Sequence, residues 1–373
     1  MIDFRYLDSL PDELVEMYAE TETRILVDMA ERIASMDFYA ASVQFQERML
    51  QEMGLEHAYI TKELSALTGK TVAEIEKLIS DAGAEVLKQN AFLDKLGFDV
   101  SGIAGSERWK KQLAEGLRKT SLLFSNLTRT TANTASRQFE KACDQAYMDV
   151  TSGAFSPQEA IANAVRRLSA QGVRTVEYHN GEITYHTDNI DVAVRRAVLT
   201  GVNQTTAELQ LAANAELGLD LVEVSAHAGA RPSHQEWQGG IYSLSGKSLK
   251  YGDFRDETGY GTGEGLCGWN CRHTFFPYVD GSPRVWNEDA LSHLNDKTVE
   301  YNGEMLTEYE ASQAQRYIER NIRRWKREAI ADEAAGVPSL RAAERLAAWN
   351  RRLTDFVEQT GFKRQYDRTK VIE

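Results

Sequence analysis

Cysteine is scarce in this chain. Its 373 residues hold three, Cys143, Cys267 and Cys271. That is too few for a disulfide framework and fits a reducing compartment. Proline is scarcer in proportion, with 6, so helices meet few interior breakers. No apolar run approaches the roughly 18 residues of a membrane span. The N-terminus, MIDFRYLDSLPDELVE, is acidic and lacks the basic start and apolar core of a secretory signal. These absences predict a protein made in the cytoplasm, with no membrane span. Low-complexity tracts and internal repeats are lacking too.

Acid is present in excess, 56 Asp+Glu against 43 Lys+Arg, a formal net charge of −13. That excludes a surface that coats nucleic acid or anionic membrane all over, because Lys and Arg must supply such binding. The charge is unevenly placed. Residues 1–100 hold 9 basic and 20 acidic side chains, whereas residues 314–373 hold 14 and 9. At roughly 100–200 residues per domain the length suits two or three domains, large enough to fold without a covalent or metal staple.

Hydrophobic spacing predicts helix over most of the chain. Leu14, Tyr18, Ile25, Met29, Ile33 and Met36 recur at helical steps from Pro11 to about Met53, with Gly54 as the stop. Thr71-Val-Ala-Glu74 reads as a capping box opening a fresh helix. Gly97, Gly102 and Gly105 mark a loop before a long helix over 106–150. Ser156-Pro-Gln-Glu159 starts another that ends near Gly172. Asn180-Gly181 and Asn302-Gly303 centre two β-hairpins. Residues 190–217 are helical up to Gly218, LDLVEVSAH is a strand, and the tail is helix broken at Gly336-Val-Pro338.

Residues 227–283 differ in character, being rich in glycine and holding three of the 7 histidines and two of the 3 cysteines. Cys267-x3-Cys271 has a spacing compatible with two thiolates on one zinc, and NCRHTFFPY reads as a strand that puts Cys271 and His273 on one face. His227 or His234 completes a tetrahedral set; His234, on the turn after Arg231-Pro232, is the better placed. The metal candidates are therefore His234, Cys267, Cys271 and His273. The plainer reading is a buried polar cluster that packs a tight loop, and it is the favoured one. Two sharper readings are a Cys/His hydrolase and a metal-dependent nuclease built on His234, Asn270 and His273. Neither has its supporting context in the sequence. Gly263-x-Gly265-x-x-Gly268 matches a dinucleotide fingerprint by letter only, since no helix follows to receive a pyrophosphate. In the tail, Arg316, Arg320, Arg323, Arg324, Lys326 and Arg327 fall within thirteen residues around Trp325. They are candidates for contact with DNA or an acidic partner, against the favoured reading of the solvated face of an amphipathic helix buried through Tyr317 and Ile318; the acidic N-terminal helices offer this tail a partner in the same chain or in a neighbour.

The string His227-Ala-Gly-Ala-Arg231-Pro232-Ser233-His234-x-x-Trp237-Gln238-Gly239, then Tyr242-Ser-Leu-Ser-Gly246, then Gly259-Tyr-Gly-Thr-Gly-x-Gly-Leu-Cys267-Gly-x-Asn270-Cys271-Arg272-His273 with Phe276-Pro277, resembles the phage minor capsid protein family. That family is similar in turn to the Mu F-like head morphogenesis proteins. The resemblance implies a minor head protein of a tailed phage, made in the host cytoplasm and carried in the virion. It implies few copies, near the portal or inside the capsid, serving head morphogenesis, packaging or DNA delivery. Portal and capsid proteins are the implied partners, with packaged DNA through the basic tail. No small-molecule substrate, enzymatic activity or C-terminal cargo domain is expected.

The expected fold class is α+β, predominantly α. Residues 1–155 form an elongated helical region for assembly and portal docking. Residues 156–306 form an α+β module with hairpins and a Cys/His-rich core at 227–283. Residues 307–373 form a basic helical tail.

Overall fold

The computed structural model describes residues 2–179 and 182–371. Helices dominate: α1 (Phe4–Ser9), α2 (Asp12–Ser35), α3 (Ser42–Asn90), α4 (Glu107–Thr151), α5 (Pro157–Gln171) and α6 (Ile190–Glu216). A hairpin of β1 (Arg174–His179) and β2 (Glu182–Asn189) separates α5 from α6. After α6 come β3 (Leu221–Val224), β4 (Ile241–Ser243), β5 (Gly252–Asp253), α7 (Phe254–Thr258), β6 (Phe275–Pro277), α8 (Glu288–His293), β7 (Val299–Tyr301) and β8 (Glu304–Leu306). The chain closes on α9 (Glu308–Ala334) and α10 (Leu340–Thr360). The class is predominantly α with a small α+β region, as the sequence predicts. Among the described residues no helix is long and apolar enough to cross a membrane.

Local chemistry explains most element ends. Ser156 and Glu159 form the reciprocal capping box that starts α5. Asn302 (φ 53°) and Gly303 (φ 80°) carry the positive φ angles that a two-residue hairpin turn requires. The Asn180-Gly181 turn lies outside the described residues. The N-terminal helices depart from expectation. The chain breaks at residues 36–41, where Asp37 Oδ1 accepts the Tyr39 N–H (2.9 Å) and draws the backbone into a turn. Past the break α3 runs for 49 residues straight through Gly54 and Gly69, and Thr71 is buried inside it rather than capping a new helix. A stripe of buried Phe45, Met49, Ile60, Leu64, Ile75, Leu78 and Val86 outweighs the ~1 kcal/mol that each helical glycine costs.

The chain folds as two compact units, neither of them a single stretch of sequence. The first unit takes Met1–Asp12, Thr71–Leu123 and Arg195–Gln313. It holds a four-stranded sheet in the order β5-β4-β3-β6, with β3 antiparallel to β4 and β6, and β4 parallel to β5. Val222, Val224, Trp237, Tyr242, Phe254, Leu266 and Phe275 form its core, together with both cysteines of the loop region. Within the same unit α4 and α6 pack closely. Gly116 faces the Thr205 side chain, and Gly201 faces that of Thr120, each glycine leaving no space for a Cβ.

The second unit takes Glu13–Lys70, Phe124–Val194 and Ala314–Glu373. Leu14, Tyr18, Ile25, Met29, Phe45, Ile60, Phe139, Ile322 and Phe356 fill its core, and Phe45 stacks on Tyr147 at 4.0 Å. It also buries charge. Arg327 meets Glu22 at 3.4 Å, both sides about 5% exposed, and Arg323 meets Asp191 at 2.7 Å. Glu22 accepts the Val173 N–H as well, yet burial raises its pKa above the ordinary value.

Candidate functional site

The chemically dense segment lies wholly in the first unit. Its loops are held by backbone pairing beyond the strand ends. The Ser225 N–H donates to Thr274 O (2.8 Å), and the Thr274 N–H donates to Ser225 Oγ (2.9 Å), which brings residue 227 beside residue 273. Pro232 opens a single 3-10 turn, Pro232–His234, that carries His234 inward. The Arg231 guanidinium donates to Trp269 O and ties that turn to the glycine loop. In this loop a Cβ on Gly265 would strike Gly259, and one on Gly268 would strike Gly263. Gly265 and Gly268 thus allow close backbone approach, a Cβ on Gly263 would strike the Trp269 ring, and none of the three takes a positive φ. Cys267 (φ 59°) and Asn270 (φ 54°) take left-handed backbone, unusual for residues other than glycine.

The strand expected over NCRHTFFPY begins only at Phe275. Cys271 and His273 share an environment for a different reason. Asn203 on α6 donates its amide to the carbonyls of both residues, at 2.9 and 3.2 Å, and folds that stretch into a tight irregular turn. Asn203 had no signal in the sequence beyond its place on a helix.

Three of the four metal candidates converge. Cys271 Sγ lies 3.8 Å from His234 Nδ1 and 3.7 Å from His273 Nδ1. The ligand atoms of this trio all fall within 4.8 Å of one another, and all three residues are buried. Cys267 stands outside the trio, with its thiol directed at His273 O (3.5 Å). The far nitrogen of each ring is engaged: His234 Nε2 with Glu264 O (2.8 Å) and His273 Nε2 with Gln238 Oε1 (3.1 Å). Trp237 packs edge-on to His273 and tilted to His234, with ring centroids 4.9 and 4.6 Å away. His227 stacks between Phe4 (4.7 Å) and His273 (4.4 Å), and its Nε2 is buried without a partner.

Burial governs the protonation of this cluster. It pushes His234 down to about 4 and lowers His273 well below the usual imidazole value, so both rings are neutral at pH 7. It also raises the thiols of Cys267 and Cys271. A cysteine nucleophile needs a thiolate and access to substrate. Both thiols are buried and held protonated, which counts against the hydrolase reading. Asn270 is exposed while His234 and His273 are buried, which counts against the nuclease reading.

The motif residue Arg272 reaches Asp8 with its guanidinium 2.6 Å from Oδ1, and Asp8 also pairs with Arg195 at 2.8 Å. The basic helix is divided in its tasks. Arg327 and Arg323 are engaged by Glu22 and Asp191, and Lys326 donates to Thr369 O. Arg324 lies over the Trp325 ring, Arg316 is half-buried, and Arg320 is exposed. The acidic N-terminal helix does meet the basic tail, through Glu22 and also through a Glu16–Lys370 ion pair. Sequence reasoning missed a groove of about 510 Å³ in the second unit, where exposed Arg137, Lys141 and Arg167 line one opening.

Comparison with known sequences agrees with the motif. The profile of phage minor capsid protein 2 matches residues 2–358. The chain belongs to that family. Two curated relatives are each named "Structural protein": one from Lactococcus phage LL-H, 26% identical over 259 residues, and one from Lactococcus phage mv4, 34% identical over 116 residues. The first match takes in 66% of this chain and 64% of the LL-H protein; the second takes in 30% and 86%. No solved structure matches.

Proposed function

We propose that this minor structural protein, made in the host cytoplasm, works in the head of a tailed phage, close to the portal or on the inner capsid face. There it serves head morphogenesis, packaging or DNA delivery. The family match over residues 2–358 carries the reading. The outward face at the start of α3 supports it. Val43 and Leu50, seven residues apart on the helix, stand 68% and 65% exposed, and Tyr39 in the preceding turn is 77% exposed, as suits a surface covered by a neighbouring particle protein. Contact with packaged DNA falls to outward cations such as Arg137, Lys141 and Arg320, since Arg323 and Arg327 of the tail are engaged within the fold.

Mass spectrometry of purified particles tests the proposal. The protein should be present at few copies per head, and phage lacking it should yield defective or DNA-free heads. Its absence from both mature and precursor particles would overturn the reading. For the DNA contact, charge reversal at Arg137 and Lys141 should weaken retention on DNA and flatten its salt dependence.

A further inference from the structure

Two imidazoles and one thiol converge in the first unit, and their hydrogens are already assigned by fixed partners. Glu264 O is a carbonyl and can only accept, so His234 Nε2 carries a hydrogen. Gln238 Oε1 accepts the backbone N–H of His227 at 3.2 Å, which fixes the orientation of that amide. His273 Nε2, facing the same oxygen, therefore carries a hydrogen too. Each neutral ring is left with a bare Nδ1 lone pair, and both point at Cys271 Sγ. A thiol has one hydrogen and can satisfy only one of them. The other nitrogen is then buried against sulfur lone pairs, which leaves a desolvated acceptor without a donor.

One cation answers all three groups at once. We propose that His234 Nδ1, Cys271 Sγ and His273 Nδ1 bind a zinc-class divalent ion, the thiol proton leaving to solvent as the ion binds. Zinc–sulfur bonds near 2.3 Å and zinc–nitrogen bonds near 2.0–2.1 Å at tetrahedral angles place sulfur and nitrogen about 3.6 Å apart. The observed sulfur–nitrogen separations are 3.8 and 3.7 Å, close to that spacing, and the ligand nitrogens, within 4.8 Å of each other, would draw in toward the ~3.3 Å of a tetrahedral pair. The Glu264 carbonyl and the Gln238 amide are the outer partners that orient metal-binding histidines and raise their basicity. One thiolate with two imidazoles selects zinc over the hard cations magnesium and calcium. Three protein ligands leave a fourth tetrahedral position, and Cys267, outside the set, is not required to fill it. The ion would join the Arg231–His234 turn to the Gly263–His273 loop, a cross-link that survives in a reducing compartment where a disulfide does not.

The full chain, purified without chelator, should carry one zinc per molecule by elemental analysis. Stripping with a strong chelator should lower the thermal midpoint, and added zinc should restore it. Cobalt added to the stripped protein should give the near-ultraviolet thiolate-to-cobalt band expected of one cysteine ligand. Cys271→Ser and His273→Ala should lose the metal and the band, whereas Cys143→Ser and Cys267→Ser should keep both. Should the first two variants fail to fold, the cobalt titration of the unaltered chain still decides. No band and no bound metal overturns the proposal, as does metal retained by folded Cys271→Ser or lost only in Cys267→Ser.

Discussion

Arg272 and Asp8 stand 264 positions apart in the chain, yet the guanidinium and the carboxylate lie 2.6 Å from each other. Both are largely shielded, and Asp8 holds Arg195 as well. The first helix is thereby fastened to the loop that carries Cys271 and His273. Asp8→Ala should lower stability by about 1–3 kcal/mol, the range for losing charge-assisted hydrogen bonds out of full solvent. Arg272→Ala should cost a similar amount, and the double variant less than the sum. Denaturant midpoints read this directly, and strict additivity would show that the pair is not coupled.

Glycines in the long helices divide by what surrounds them. A Cβ at Gly54 or Gly69 meets nothing within 4 Å. Gly54→Ala and Gly69→Ala should therefore each stabilise the protein by about 0.5–1 kcal/mol, by relieving helical entropy. Gly116→Ala and Gly201→Ala should act oppositely, at about 1–3 kcal/mol, because the added methyl strikes Thr205 or Thr120. Thermal unfolding of the four variants gives the comparison. A uniform sign across all four would refute the division.

Glu56 sits fully buried beside Ser136, which donates to it at 2.8 Å, and burial raises its carboxyl from 4.5 to about 7. The folded state thus binds this proton more tightly than the unfolded state does. Its contribution to stability is complete below pH 4.5 and disappears as pH rises through about 7. Glu56→Gln should remove that slope and leave the variant relatively more stable above pH 7. Unfolding midpoints across pH 4–8 measure it, and equal slopes in both proteins would contradict the assignment.

Arg327 and Glu22 form a buried pair, so removing one partner strands the other. Arg327→Ala should cost about 3–5 kcal/mol, and Arg327→Ala with Glu22→Gln distinctly less. Salt-dependent DNA retention of any folded Arg327 variant should match that of the parent protein. A changed salt slope would show that Arg327 faces phosphate after all.

Strong local signals were legible in the sequence. The Ser156 capping box, the Asn302-Gly303 turn and the helix stop at Gly218 each rest on side-chain or backbone chemistry within a few residues. Gly54 and Thr71 misled because a long buried stripe overrides local preference, and helix position alone does not reveal that stripe's continuity. The site was legible in part. Cys271 and His273 lie two apart, and His234 belongs to the same motif. The groups that orient them come from elsewhere in the fold: Asn203 from a helix, Gln238 and Glu264 from loops 35 and 30 residues distant from their histidines. No periodicity announces such partners. The arginine stripe of α9 was visible as charge, whereas its pairing with Glu22 and Asp191 depends on tertiary placement.

Interleaving of the two units has a consequence for synthesis. The first unit draws on residues as far as Gln313, and the second reaches into the last helices, while both also need the opening segments. A nascent chain must therefore hold its amphipathic helices unsatisfied until most of it has left the ribosome. Neither unit can be released as a contiguous fragment by a single proteolytic cut. Rapid helix formation makes that wait tolerable, and host chaperones would be expected to attend it.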